Sequence, residues 1–170
     1  MLAAETPKVL IRRRSLLWSG AAACLPAVAA PPFAWPSITL LDGSVLRPQD
    51  WDDRAAVVVA FATWCPFCAR HNPHVQKLHE AVSGKRLRVL GAALDADPDL
   101  VRRYMQRNGY TFAVTPYGAE LRSLMTTRPG LPLTIPFDRA GRMQTPVPGE
   151  MFVEDVLELA ALAERPAKAL

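Results

Sequence analysis

The sequence predicts an α/β fold, in which helices flank both faces of a central mixed β-sheet. Two runs, residues 55–62 and 87–95, are apolar almost throughout, which is typical of strands buried on both sides. Helical patterns follow each of these runs, so strands and helices alternate along the chain. The chain then ends in strands and a helix, and this order favours a mixed sheet.

A hairpin and the first strand–helix unit open the domain. Asp42-Gly43, a strong turn signal, separates two short apolar runs and predicts an N-terminal hairpin. The strand over residues 55–62 leads into a helix over residues 65–83, which Gly84 can end.

The middle of the chain repeats this order of strand and helix. After the strand over residues 87–95, a helix is expected from Pro98 to Asn108, because Asp97 can cap it and Gly109 can end it. Pro98 is tolerated there because it falls in the first turn. A short strand and a short helix follow, at residues 111–114 and 119–125.

The last third predicts two strands and a closing helix. Pro136 lies inside the strand expected over residues 131–138, and proline cannot donate to a ladder, so we expect a bulge or a shortened strand there. A strand over residues 143–147 and an amphipathic helix over residues 152–163 complete the domain. The predicted organisation is therefore a linker over residues 31–36, one domain over 37–164 and a disordered tail over 165–170.

The composition fits one globular domain of ordinary size with a proper core. The chain has 170 residues, of which 50% are hydrophobic. Most of its formal net charge of +4 comes from Lys8 and from Arg12, Arg13 and Arg14. Because the rest is nearly neutral and has no basic stripe, the charge does not indicate nucleic-acid binding.

Residues 1–30 resemble an export signal of the twin-arginine type. Arg13-Arg14 precedes a short apolar stretch, which ends in the small residues Ala29 and Ala30 where cleavage is expected. The stretch is too short for a comfortable transmembrane helix, which needs about 20 apolar residues. We therefore expect a periplasmic protein. The alternatives are a basic N-terminus with a hydrophobic anchor, an uncleaved signal, and a lipid on Cys24, where "AAAC" resembles a weak lipoprotein box.

The other two cysteines, Cys65 and Cys68, enclose Pro66 and Phe67 between a buried strand and a helix. Two cysteines this close form one local pair and cannot build a disulfide scaffold. Cys65 stands at the helix N-terminus, where free N–H groups and the macrodipole favour a thiolate. Pro66 suits the first helical position. Cys68 lies one turn further, so the pair can cycle between dithiol and disulfide with little backbone movement.

Four segments, "FATWCPFC", "ARHNP", "RPGLPLT" and "FDRAGRM", occur in an order that resembles the exported thiol–disulfide oxidoreductases of the TlpA/ResA type. The likeness covers roughly residues 36–163, and it implies a thioredoxin fold. It also implies that Leu131-Pro132 is a cis bond opposite the cysteines. In this family that loop offers backbone hydrogen bonds to an extended client segment.

The resemblance implies the chemistry as well. The Cys65 thiolate attacks a client disulfide, Cys68 resolves the mixed disulfide, and a membrane thiol donor regenerates the dithiol. The expected role is reduction of protein disulfides in the cell envelope, in cytochrome c maturation or for another cysteine-containing client. No cofactor is expected beyond the redox-active disulfide, and we expect a monomer. Trp64 would flank the site as an apolar wall, unless it is a core aromatic.

The chain departs from the family at two positions. The family's glutamate three residues past the second cysteine is His71 here, and Val59 replaces the acidic residue that thioredoxins carry. A helical stripe from Cys68 through His71 predicts that His71 faces inward; its other members are Val75, Leu78 and Val82. A neutral His71 could accept a proton or be structural, whereas a cationic one would make the disulfide more oxidising. His71 and Phe67 therefore keep a disulfide oxidase or isomerase open as the alternative.

A metal carrier is the alternative from a different class of function. Cys65, Cys68, His71 and His74 are soft ligands of the kind that bind Cu(I) or zinc. All four lie on one short helical segment, and no second pair in the sequence completes a shell. We therefore expect no metal site.

Overall fold

The computed structural model of the chain describes residues 31–165. The export signal predicted for residues 1–30, with Cys24, lies outside the described residues. So does the tail predicted for residues 165–170, except for Arg165. None of the helices within residues 31–165 is long and apolar enough to cross a bilayer.

Strands and helices alternate through the first two thirds of the described chain. The strands are β1 (Ile38–Thr39), β2 (Val45–Leu46), β3 (Ala55–Phe61), β4 (Leu87–Ala93), β5 (Ala113–Thr115), β6 (Leu133–Phe137) and β7 (Val147–Pro148). The α-helices are α1 (Pro66–Ala81), α2 (Pro98–Asn108), α3 (Gly118–Met125) and α4 (Val153–Glu158). Two 3-10 helices cover Pro48–Trp51 and Leu159–Ala163.

The central sheet is mixed, as the sequence predicts. Its strand order is β5-β4-β3-β6-β7, with β3 parallel to β4 and β4 parallel to β5. Strands β6 and β7 run antiparallel to their neighbours. The short β1–β2 hairpin forms a separate two-stranded sheet, and Gly43 supplies its turn at φ +85°.

Strand β3 separates two hydrophobic cores, which explains why every one of its residues is buried. Val57, Val59 and Phe61 pack on the face that α1, α2 and α4 cover. The intervening residues Ala56 and Val58 pack on the opposite face, which α3 and the hairpin cover. Because side chains alternate along a strand, a strand between two covered faces must be apolar throughout.

Helix α2 has the predicted bounds, and the predicted residues cap it at both ends. The Asp97 side chain accepts a hydrogen bond from the Asp99 N–H, and Gly109 ends the helix in the left-handed region at φ +69°. Helix α1 begins one residue later than predicted, because Cys65 is its N-cap and not its first turn.

Strand β6 corrects the prediction at Pro136. The register is unbroken, and Val57 pairs with Pro136 without a bulge. The Pro136 carbonyl accepts a hydrogen bond from the Gln144 N–H at 2.8 Å, on the side away from β3. Since the N–H and C=O of one residue in an antiparallel strand point the same way, the missing N–H of Pro136 also faces away from β3. No bond of the β3–β6 ladder is therefore lost.

The C-terminal part is less regular than the sequence predicts. The strand expected over residues 143–147 is reduced to an isolated bridge between Phe137 and Met143, and β7 begins only at Val147. The helix expected over residues 152–163 changes from α to 3-10 geometry at Leu159. Phe152, which the apolar pattern placed on the buried face, is the N-cap of α4 and is 77% exposed.

Residues 31–36, predicted as a linker, instead pack on the domain. The Phe33 N–H donates to the Gly141 carbonyl at 2.8 Å. The Trp35 ring stacks on Trp51 with ring centroids 3.8 Å apart. Two aromatic side chains among the prolines give this segment enough apolar surface to stay on the core.

Candidate active site

Cys65 and Cys68 lie at the start of α1, at the edge where the parallel strands end. Both are free thiols, and the Cys68 N–H donates to the Cys65 sulfur at 3.4 Å. Pro66 occupies the first helical position, which needs no N–H, as the sequence predicts. The Cys65 sulfur therefore serves as the N-cap acceptor of α1, and a sulfur that becomes negative there keeps this donor.

The proline loop lies directly across from Cys65. The Leu131-Pro132 bond is cis, which confirms the expectation from the family resemblance. The Cys65 thiol donates to the Leu131 carbonyl at 3.8 Å. The Pro132 carbonyl in turn accepts from the Gly149 N–H at 2.8 Å. The loop thus connects Cys65 to residues 149–152, which precede α4.

Both cysteines are buried, but Cys68 more completely, with no exposed surface against 6% for Cys65. Burial is the main cause that raises the pKa of the Cys68 thiol to about 12, and the hydrogen bond to Cys65 and the negative charge of Asp95 act in the same direction. Cys68 is therefore a protonated thiol at neutral pH. This protonation state suits a second thiol that reacts only after Cys65 has been engaged.

Asp95 is a site residue that sequence reasoning missed. Its carboxylate is buried and accepts hydrogen bonds from both the Thr63 N–H at 3.0 Å and the Thr63 hydroxyl at 2.6 Å. Two residues after Thr63 comes Cys65. The available signal was an acidic residue two positions after the end of a buried strand, β4, whose carboxyl end lies beside that of β3. The site therefore contains a buried carboxylate, although Val59 and His71 stand where related proteins carry theirs.

His71 faces inward, as the helical stripe predicts, and its side chain is fully buried. Its Nδ1 accepts from the Met151 N–H at 3.3 Å, so the ring hydrogen is on Nε2, which can donate to the Thr134 hydroxyl at 3.2 Å. Burial, and then the neighbouring His74, lower the pKa of His71 to about 4. His71 is therefore neutral at neutral pH and brings no positive charge to the cysteines.

The two aromatic residues predicted near the cysteines are on the surface. Trp64 is 71% exposed, so it is not a core aromatic, and Phe67 is 53% exposed. The Arg70 guanidinium lies 4.8 Å from the Phe67 ring centroid and pairs with Glu150 at 2.8 Å. Trp64 and Phe67 flank Cys65 and Pro66 in the chain, and we call this rim, together with the Leu131 carbonyl, the opening of the site; Cys65 itself is 6% exposed.

The metal-binding alternative finds no support in this arrangement. Within residues 31–165, no three His, Cys, Asp or Glu side chains are grouped as metal ligands are. Both ring nitrogens of His71 already have partners, Met151 and Thr134. The Nδ1 of His74 contacts the Met151 carbonyl at 3.1 Å. The two histidines therefore point to the backbone of Met151 and not to the cysteines.

Comparison with known proteins agrees with this geometry. The family model described as Redoxin matches residues 27–141. The chain is 24% identical over 123 residues to the thiol–disulfide oxidoreductase ResA of Halalkalibacterium halodurans, which covers 70% of this chain and 69% of that protein.

Solved structures share the fold. A thiol:disulfide interchange protein of the thioredoxin family from Chlorobium tepidum superposes with a TM-score of 0.74 at 22% identity, covering 82% of this chain and 99% of that one. A secreted disulfide oxidoreductase from Mycobacterium tuberculosis, homologous to E. coli DsbE, gives a TM-score of 0.65 at 19% identity, covering 76% and 96%. The predicted thioredoxin fold is thereby confirmed.

Proposed function

The chain belongs to the redoxin family and is a thiol–disulfide oxidoreductase, and from that premise we propose that it reduces disulfides in protein clients through Cys65 and Cys68. The observation that carries the proposal is the pair of free thiols one helical turn apart. Both thiols are buried, but Cys65, 6% exposed, contacts the proline loop, whereas Cys68 has no exposed surface. The electrons reside on these two sulfurs, so the proposed reaction needs no bound cofactor.

The proposed reaction has two exchange steps. Cys65, having lost its proton, attacks one sulfur of the client disulfide, and the other client sulfur leaves and takes up a proton. The Cys68 thiol then loses its proton and attacks the Cys65 sulfur, which releases the second client thiol. The client gains two electrons and two protons, and Cys65 and Cys68 become a disulfide.

The charges around the pair support the reducing direction. A cation near the cysteines would stabilise a thiolate, favour the reduced pair and so make the disulfide a strong oxidant. His71 is neutral, and the charges that raise the pKa of Cys68 are both negative, that of an ionised Cys65 and, to a smaller extent, that of Asp95. The reduced pair therefore lacks that stabilisation, as expected for a protein that gives electrons away.

We further propose that the protein acts outside the cytoplasm as a monomer. The twin-arginine-like segment over residues 1–30 supports export. A secreted M. tuberculosis oxidoreductase that shares the fold is consistent with it. In this proposal a membrane thiol donor re-reduces the pair, and the client is a protein of cytochrome c maturation or another exported protein with cysteines.

The reduction potential of the Cys65 and Cys68 pair tests the direction of electron flow. Equilibration against dithiothreitol or glutathione at neutral pH should give a value near or below about −250 mV, close to that of thioredoxin. A value of about −120 to −180 mV would overturn the proposal in favour of a disulfide oxidase or isomerase.

Metal content tests the remaining alternative. After purification under reducing conditions, we expect no stoichiometric copper or zinc and reversible cycling between dithiol and disulfide. A tightly bound metal that blocks this cycling would refute the proposed enzyme function and favour a metal carrier.

A further inference from the structure

Two histidines of α1 converge on one residue of the loop before α4. His71 and His74 are three residues apart and therefore share one side of the helix. The Met151 N–H donates to the Nδ1 of His71 at 3.3 Å, and the Met151 carbonyl contacts the Nδ1 of His74 at 3.1 Å. Both backbone polar groups of Met151 are thus bonded to imidazoles of the same helix.

These two contacts determine where the ring hydrogens are. An N–H can only donate, so the Nδ1 of His71 carries no hydrogen, and its Nε2–H faces the Thr134 hydroxyl at 3.2 Å. A carbonyl can only accept, so the Nδ1 of His74 carries a hydrogen. The same ring atom is therefore an acceptor in His71 and a donor in His74. Neither residue can replace the other.

Met151 lies in a short segment that borders the site on two sides. This border segment, residues 149–152, begins where the Gly149 N–H donates to the Pro132 carbonyl at 2.8 Å. Glu150 pairs with Arg70 of α1 at 2.8 Å, and Arg70 lies over the exposed ring of Phe67. The border segment is thus connected both to the proline loop and to the helix that carries the cysteines.

We propose that His71 and His74 are positioning residues that clamp Met151 and thereby hold the border segment beside the site, where it determines how well an extended protein client binds. This inference rests on the proposed function, and it concerns client binding rather than thiol exchange. A client that lies along the proline loop must pass the border segment, whereas a small disulfide needs only access to Cys65. His71 thus replaces a carboxylate with a neutral group that bonds to two elements beside the site, the border segment at Met151 and strand β6 at Thr134.

The clamp is tested by comparing the kinetics of disulfide reduction by the reduced protein with those of its His74→Ala variant. The probes are insulin, a protein disulfide, and 5,5′-dithiobis(2-nitrobenzoate), a small one. We expect KM for insulin to rise about fivefold, the effect of losing one hydrogen bond, with kcat and the reaction of the small disulfide unchanged. The matched control is His79→Ala, because His79 is a half-buried histidine of the same helix that lies outside the site. This variant should change neither the KM for insulin nor the reaction with the small disulfide.

Two results of that assay would overturn the clamp. One is an insulin KM in His74→Ala equal to that of the control. The other is an equal loss for insulin and the small disulfide, which would mean that the histidines act on the dithiol itself. His71→Asn sharpens the test, because its amide oxygen can still accept from Met151. It should retain more insulin binding than His71→Leu.

If the protein reduced neither probe, the proposed function would be refuted, but the kinetic test of the clamp would give no result. Nuclear magnetic resonance tests the clamp independently of activity. Ring nitrogen chemical shifts at neutral pH should show a bare Nδ1 in His71 and a protonated Nδ1 in His74. The Met151 amide should exchange slowly with solvent, and faster in His74→Ala but not in His79→Ala. A protonated Nδ1 in His71, or a rapidly exchanging Met151 amide in the unmodified protein, would overturn the clamp whatever the activity.

Discussion

The two cysteines of one short motif occupy two different regions, the opening of the site and its interior. Cys65 is 6% exposed and contacts the Leu131 carbonyl, and its neighbours in the chain include the exposed Trp64 and Phe67. Cys68 is fully buried, and burial raises the pKa of its thiol to about 12. The difference shows how one turn of helix places two identical side chains in different surroundings, as the separate roles proposed for them require.

The largest expected effect comes from removing the sulfur at the opening. Cys65→Ser should abolish reduction of insulin, because the hydroxyl is not a nucleophile for disulfides at neutral pH. Cys68→Ser should instead accumulate a mixed disulfide between Cys65 and the client, which mass spectrometry would detect. If Cys65→Ser kept its activity, or if the client were trapped on Cys68, the assignment of the two roles would be wrong.

The buried His71 should make the free energy of unfolding depend on pH. Its pKa is about 4 in the folded protein against 6.5 for an ordinary histidine, so the unfolded chain binds a proton more readily. The stability that this histidine contributes is present above about pH 6.5 and is lost as the pH falls towards about 4, by up to roughly 3 kcal/mol. Urea unfolding across this window measures it.

The control for that experiment separates His71 from the rest of the protein. His71→Gln keeps an N–H for Thr134 but does not titrate, so its free energy of unfolding should fall less steeply between these pH values. His79→Gln should retain the full dependence. Equal slopes in His71→Gln and in the unmodified protein would contradict the assignment.

A smaller effect is expected from Asp95, which acts on the interior thiol. Removal of its negative charge in Asp95→Asn should lower the pKa of Cys68, so resolution of the mixed disulfide should reach its maximum rate at lower pH. The shift is modest, because burial is the larger cause and remains. Stopped-flow kinetics against pH would measure it. Asp52→Asn, an exposed carboxylate after the first 3-10 helix, is the control and should leave the profile in place.

The smallest effect on the free energy of unfolding is expected from substitution of Trp64, at the opening of the site. Trp64→Ser should change the free energy of unfolding by less than about 0.5 kcal/mol, because the side chain is 71% exposed and has little contact to lose. Thermal or urea unfolding measures this change, with the buried Trp51 as the contrasting position. A large destabilisation by Trp64→Ser would show that the opening and the interior are less distinct than the structure indicates.

Much of the fold was predictable because its signals are local. The bounds of α2 follow from Asp97 and Gly109, and the apolar run of β3 follows from two covered faces. The inward position of His71 followed from helical spacing alone. Predictions failed where pairing between distant residues decides: Pro136 fits its strand because Gln144 lies on the open side, and Trp35 is held by Trp51.

The candidate site likewise has features that the sequence predicts and contacts that only the folded structure reveals. The placement of Cys65 and Cys68 at a helix N-terminus after a strand was predictable, because a strand end, an N-cap and one helical turn are determined by neighbouring residues. The redox role also needed the family resemblance, and it stays a prediction. The partners of that pair were not predictable. Asp95 reaches Thr63 from the end of another strand, and Met151 meets His71 and His74 from a loop some 80 residues away. Contacts of this kind leave no periodicity in the chain, because they arise only when packing of the whole sheet brings its edges together.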